Sequence, residues 1–433
     1  MPAIKVERLK DLTPGRRRDI LERSMEDIAG IFGDVRDTVL AIRDRGDEVS
    51  VKHYGKLKAD ITSADIKATP EEYEEAFRLV DPQVVDHLKF AADNIRKFHA
   101  AQLGREMWAI EVLPGVLAGQ MVRPLDSVGC YVPGREATYP SSVLMTILPA
   151  KVAGVKSIIA CTPPGEGMKA NPATLVAATI AECDAVFKIG GPWAIGSMAY
   201  GTEVVPKVDK IVGPGNKHVT AAKMAVFGIV DIDSPAGPSE ILILADDTAN
   251  PSWLAIDFLS QVEHDKDAAA VLVTPDATLA QAVADQINEE LKTLPRTDYI
   301  LPALENNSAI LVTDTMEEAI EFTNEYAAEH LEVVTQEPMS MLPKIRHAGS
   351  IFLGPYAPVP VGDYASGTNH VLPTGQCARM FNGLGTDDFV KRPTFQLVSK
   401  EGLERLAPTV MALATTEGLP LHCETVRRRV WKR

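Results

Sequence analysis

From about Ser127 onward the chain alternates short apolar runs with longer amphipathic ones, and no other feature limits its possible folds as much. VGCYV, SIIAC, AVFKIG, KIVG, ILILA, AAVLVT, AILVT, LEVVT and SIFLG read as strands. Continuous apolar runs of this length suit strands covered on both faces, which is the situation of a parallel sheet between helices. Between them lie YPSSVLMTILPAKVAG, NPATLVAATIAECDA, NKHVTAAKMAVFG, PSWLAIDFLSQVEH and TLAQAVADQINEELKTL, with helical character. The repeated order of strand and helix predicts an α/β protein with parallel sheets. Asn171-Pro172 and Asn250-Pro251 mark two helix starts, each an N-cap residue followed by a proline at the first helical position.

At 433 residues the chain exceeds the size at which one core stops growing, so several domains are expected. Residues 1–125 read as a charged helical segment packing on the core, carried by VRDTVLAIRDRGDEVSVKHYGK and EEYEEAFRLVDPQVVDHLKFAADNIRKFHAAQ. Residues 126–240 and 241–386 form two successive α/β sets. Residues 387–433 turn helical again through KEGLERLAPTVMALATTEG. Lysine and arginine number 44 against 59 acids, and a net charge of −15 argues against nucleic acid as a partner. Arg16–Arg18 and Arg427–Arg429, the basic clusters, read as solvated helix ends. No apolar run reaches the roughly 20 residues of a membrane span, and MPAIKVERLK lacks a signal-peptide core. Five scattered cysteines without CxxC spacing suit a reducing compartment. The expectation is a cytoplasmic protein without membrane or nucleic-acid partners.

Several short stretches carry candidate chemistry. In SWLAIDFLSQVEHD, Leu254, Phe258 and Val262 form the buried stripe of a helix, while Asp257, Gln261 and His264 fall on an adjacent face. A Gln/His pair so spaced either converges on a ligand or ion, or is an ordinary hydrogen-bonded helix end. VGDYASGTNHVLPTG holds Asp363, Ser366, Asn369 and His370 among glycines, as a ligand-binding loop or a turn-rich surface loop. NEYAAEHLEV reads as a helix end with adjacent Glu329 and His330, side chains suited to proton transfer if they share a cleft. SPAGPSEILILA sets Ser239 in a turn before a strand, and TTEGLPLHCETV carries Glu417 and His422. Gln261, His264, one carboxylate and a further histidine would make a nitrogen and oxygen set compatible with Zn²⁺, Mn²⁺ or Co²⁺. HExxH, Walker A, GxSxG and GxGxxG are all missing.

Taken together, VGCYVPG, YPSSVLM, PAKVAGV, YGTEVVPKVDKIVGPGN, AGPSEILILAD, SQVEHD, YAAEHLEV, GDYASGTNHVLPTG and GLPLH resemble the histidinol dehydrogenase family, in the family's order. The resemblance implies two incomplete Rossmann-like domains with small helical N- and C-terminal domains that intertwine a homodimer. It implies one Zn²⁺ per subunit held by Gln261, His264, Asp363 and His422. His422 and Glu417 would reach the site from the partner subunit. Ser239, Gln261, His264, His330, Asp363, His370, Glu417 and His422 would contact substrate, with Glu329 and His330 as the catalytic pair and Tyr131, Trp193 and Asn216 near the cofactor. The implied reaction is oxidation of L-histidinol to L-histidine through the aldehyde, reducing two NAD⁺. A paralogue acting on another primary alcohol, such as a dihydroxypropanesulfonate, is the alternative.

The chain departs from the family's usual pattern at Arg135, which follows VPG in place of a second glycine, and at Trp193, where the family carries a glutamine. NGLGT over 382–386 and Leu421 are further departures, and none falls on a proposed metal or catalytic position.

Overall fold

The computed structural model describes residues 4–23, 28–58, 60–134, 138–235, 237–295 and 297–431. Arg135 lies outside them. All nine apolar runs form strands, and they divide between two parallel sheets. In the first, the spatial order is Ala185–Phe187, Ser157–Cys161, Ser127–Tyr131, Lys210–Val212, Asp231–Ile232. In the second it is Val6–Arg8, Ala309–Val312, Ala269–Thr274, Glu240–Ala245, His330–Val334, Ser350–Leu353. Leaving out the short edge strand Val6–Arg8, both sheets have their strands in the chain order third, second, first, fourth, fifth. That order places a topological switch between the first and fourth strands, the usual location of a binding crevice.

The second sheet shows why unbroken apolar runs were needed. Ile241, Ile243 and Ala245 face the helices Pro251–Val262 and Ala277–Glu290, whereas Leu242 and Leu244 face the helix Met316–Tyr326. Leu254, Phe258 and Val262 are buried, as their spacing requires. Asn250 caps this helix, its Oδ1 accepting from the Ser252 and Trp253 N–H groups at 2.9 and 3.4 Å. Asn171 caps the helix Pro172–Ile180 in the same way, taking the Ala173 N–H at 2.9 Å. Capping of this kind stabilises by about 1 kcal/mol per helix. Among the described residues no helix is long and apolar enough to cross a membrane.

Contacts divide the chain into two units, residues 1–102 with 126–389, and residues 103–125 with 390–433. Residues 1–125 are therefore not one helical segment. Strands Met107–Leu113, Val116–Met121 and Arg123–Pro124 belong to the second unit, where Thr394–Val398 pairs with Val116–Met121. Residues 387–433 likewise combine two strands with the helices Lys400–Thr416 and Pro420–Val430. The missed strands have a physical reason. Met107 through Val112 are exposed on both faces, so burial imposes no alternation that periodicity can detect.

Candidate active site

A cleft of about 270 Å³ opens within the first unit. Pro133, Gly213–Asn216 and Asp233–Ser234 line it from just beyond the carboxyl ends of strands in the first sheet. Ser239, His264, Glu329 and His330 line it from the amino end of the second sheet, joined by Asp363, which lies in the short helix Val359–Tyr364 and not in a loop, and by His370 from the loop beyond that helix. One sheet thus offers the end suited to a cofactor, and the other offers the side chains.

Glu329 and His330 do not end a helix. The helix Met316–Tyr326 stops because Ala327 adopts a left-handed conformation at φ 52° and its N–H returns to Thr323 O at 3.0 Å. His330 begins the next strand, paired with Ile241, and Glu329 stands just before it. Both are buried yet reach the cleft. His330 Nδ1 donates to Glu240 O at 3.0 Å, which leaves Nε2 as the ring nitrogen able to gain or lose a proton. Nε2 is buried without a hydrogen-bond partner and faces Asp363 Oδ1 from 3.7 Å. Gly349 lets the neighbouring strand pass this point, since a Cβ there would stand 2.6 Å from Glu329 O.

Charge is concentrated here. Burial pushes the Glu329 carboxyl up to about 7, although His330 and the Glu240 N–H oppose it. Burial pulls the His330 imidazole down, but Glu329 and Asp363 outweigh that and hold it up at about 9. Burial also pushes Asp363 up, and the imidazoles of His330, His370 and His264 more than compensate, keeping it below its ordinary value. His370 is held down chiefly by burial. Its Nδ1 donates to Asp363 O at 2.9 Å and its Nε2 accepts from Ser142 Oγ at 3.0 Å, so both ring nitrogens are engaged. Asn369 of the same loop is an anchor, bound to Met145 O at 2.7 Å and to Val371 N–H at 2.9 Å.

The metal candidates come together in part. His264 and Asp363 share the cleft. His264 lies in the turn just past the helix Pro251–Val262, its N–H 3.3 Å from Gln261 O. Gln261 is 2% exposed, with its Nε2 lacking any partner. An amide left unsatisfied in this way fits a missing ligand, because its oxygen and nitrogen exchange places on a flip. The nitrogen and oxygen donors suit a borderline ion such as Zn²⁺. Among the described residues, no three His, Cys, Asp or Glu side chains converge where a metal could sit. Glu417 and His422 stand in the second unit, exposed, at the end of one helix and the start of the next.

Of the proposed cofactor contacts, Asn216 lines the cleft and caps the helix Lys217–Val226. The helix start beside it suits an anionic ligand. Tyr131 is buried, its hydroxyl accepting from Gly191 N–H at 3.1 Å. Trp193 stacks on His53 with ring centroids 3.5 Å apart, which occupies one indole face.

Behind His330, the same strand face carries Glu332, which sequence reading passed over. It is 1% exposed, accepts from Val359 N–H at 2.9 Å and stands near the Asp257 carboxyl. Burial, then the Asp257 charge, pushes Glu332 up to about 8; burial likewise pushes Asp257 up to about 6. A carboxyl raised on folding stabilises fully below its unfolded range and loses that contribution as pH rises through its folded value. Stability should therefore fall between about pH 5 and about pH 8 on account of this pair. Glu332→Gln should flatten the fall and melt roughly 2–4 °C higher than wild type at alkaline pH. Parallel melting curves for the two proteins across that range would show that the pair does not titrate as described.

A sequence model of the histidinol dehydrogenase family matches residues 21–430. The histidinol dehydrogenase of Methanothermobacter thermautotrophicus is 48% identical over 415 residues, spanning 96% of this chain and 97% of that protein. That of Heliobacterium mobile is 48% identical over 413 residues, spanning 95% and 96%. The crystal structure of histidinol dehydrogenase from Elizabethkingia anophelis matches with a TM-score of 0.91 and 38% identity, covering 99% of this chain and 98% of that one. With a family match across both sheets and the second unit, and a solved member of the same fold along nearly its whole length, this chain belongs to the histidinol dehydrogenase family.

Proposed function

We propose that this protein oxidises L-histidinol to L-histidine through the aldehyde, reducing two NAD⁺, with one zinc ion per subunit, in histidine biosynthesis. The observation that carries the reading is His330: its Nδ1 is committed to Glu240 O and its Nε2 is left free beside Asp363, next to a Glu329 carboxyl poised near neutrality.

Gln261, His264, Asp363 and the partner subunit's His422 would hold the zinc. When bound, the zinc supplies a template that orients the amine and imidazole nitrogens of the substrate, and NAD⁺ supplies the hydride acceptor. The remaining work falls to the chain's own side chains. Glu329 first and Asp363 second hold the His330 imidazolium; Asp363 engaged with zinc would be a weaker support, which favours the neutral imidazole that can accept a proton. His330 Nε2 then takes the hydroxyl proton as the carbinol carbon gives up its hydride. Glu329 takes a proton from the water that adds to the aldehyde, and the hydrate gives up the second hydride. Burial of both residues keeps bulk water from competing.

A homodimer would bring Glu417 and His422 into the partner's site. Support for it comes from the second unit, which exposes the large apolar side chains Ile110, Val112, Leu397, Leu413 and Leu421.

The test is an assay of the purified protein with L-histidinol, NAD⁺ and zinc. Two NADH per histidine formed is the expected stoichiometry. Turnover of a sulfonated diol with none of histidinol would replace this reading by the paralogue one.

A further inference from the structure

Two residues outside the cleft, Glu240 and Arg23, are tied to the proton-handling pair more closely than anything inside it. Glu240 opens the strand Glu240–Ala245, beside Glu329, which stands just before the neighbouring strand His330–Val334, and is 1% exposed. It holds the pair at three points. Its N–H donates to Glu329 Oε2 at 2.9 Å, its Oε1 accepts from the Glu329 N–H at 3.1 Å, and its carbonyl accepts from His330 Nδ1 at 3.0 Å. The last contact commits Nδ1, so Nε2 is the ring nitrogen turned toward Asp363 and the one whose proton can be exchanged.

The Glu240 carboxylate is itself gripped. Arg23 donates to both of its oxygens, from Nε and Nη2, in a fork that only a guanidinium supplies. The third arm, Nη1, donates to Leu21 O at 2.9 Å and to Tyr326 O at 3.1 Å, and the guanidinium lies 3.7 Å over the Tyr326 ring. Tyr326 closes the helix that leads to Glu329. Arg23 therefore clamps both sides of the short connection carrying Glu329 and His330. A buried ion pair is often no more stabilising than an apolar replacement, so stability alone accounts poorly for this one. An unneutralised Glu240 would also repel the Glu329 carboxylate beside it.

We infer that Arg23 and Glu240 are positioning residues for the reaction: the Arg23 fork fixes the Glu240 carboxylate, and Glu240 sets the placement of Glu329 and the tautomer of His330. This rests on the reading of Glu329 and His330 as the proton-handling pair.

The test compares full-length wild type, Arg23→Ala and Arg23→Lys for kcat and KM with L-histidinol and NAD⁺, for bound zinc, and for thermal unfolding. Arg23→Ala should lose roughly 10²-fold in kcat, the cost of a small misplacement of reacting groups, with KM for histidinol and zinc content within about twofold of wild type. Arg23→Lys keeps the charge and loses the fork, and should fall between the two. A folded Arg23→Ala protein with wild-type kcat overturns the inference. So does a loss confined to KM, or a pair of variants that both fail to fold, which would make the clamp a matter of stability alone. A wild type inert toward histidinol overturns the function proposed above, and this inference with it, whereas an active wild type with unimpaired variants overturns this inference only.

Discussion

A Glu329→Gln enzyme is expected to fold and bind metal as the wild type does and to lose roughly 10²–10⁴-fold in the conversion of aldehyde to acid. The size follows from removal of a positioned base, and the selectivity from geometry. Glutamine keeps an oxygen for the Glu240 N–H, so the contact that holds the side chain survives. What disappears is a carboxylate that burial holds near 7 and that can accept a proton from water at neutral pH. Oxidation of alcohol to aldehyde, assigned to His330, should suffer far less. Single-turnover measurements with histidinol and with the aldehyde separate the two half-reactions. Equal impairment of both would remove Glu329 from its assigned step, and undiminished acid formation would remove it from the chemistry altogether.

His422→Asn is expected to weaken zinc binding by at least about 100-fold, since loss of a ligand should cost no less than loss of an outer-shell contact. Dialysis against a chelator followed by metal analysis measures it, and full occupancy in the variant would contradict the ligand set. Of the proposed ligands, His264 and Asp363 line the cleft in the first unit and Gln261 is buried one turn before His264; His422 is the donor proposed from the second unit. Whether that donor comes from the partner has its own test. His264→Asn and His422→Asn should each be inactive alone. Co-expressed, they should form mixed dimers with one intact site each, recovering up to about half of wild-type activity in that species. No recovery would place His422 in its own subunit's site or outside any site.

Much of the fold was legible because burial writes itself into consecutive residues. ILILA must be a strand covered on both faces, and Leu254, Phe258 and Val262 must line one side of a helix, whatever surrounds them. The same rule explains the failures. Trp108, Ile110 and Val112 carry no burial pattern because their strand is exposed on both faces, and nothing in the sequence signals that the helix stops short of Glu329, because a non-glycine residue, Ala327, in a left-handed conformation leaves no mark in composition. Residue types at the site were legible too, as a glutamine, an aspartate and histidines where a solvated surface would carry lysine and glutamate.

Their convergence was not legible. Glu240 looks like any polar residue before a strand, and Arg23 like one more arginine in a basic helix; they are 217 positions apart, and they meet in the buried core. What brings them together is the order of strands, which sets Glu240–Ala245 beside His330–Val334, and a register that pairs Ile241 with His330. Local patterning determined which segments are strands and helices and which side chains could do chemistry, because those properties depend on neighbours in the chain. Which carbonyl holds which imidazole was decided only by the packed sheet, because that contact depends on neighbours in space.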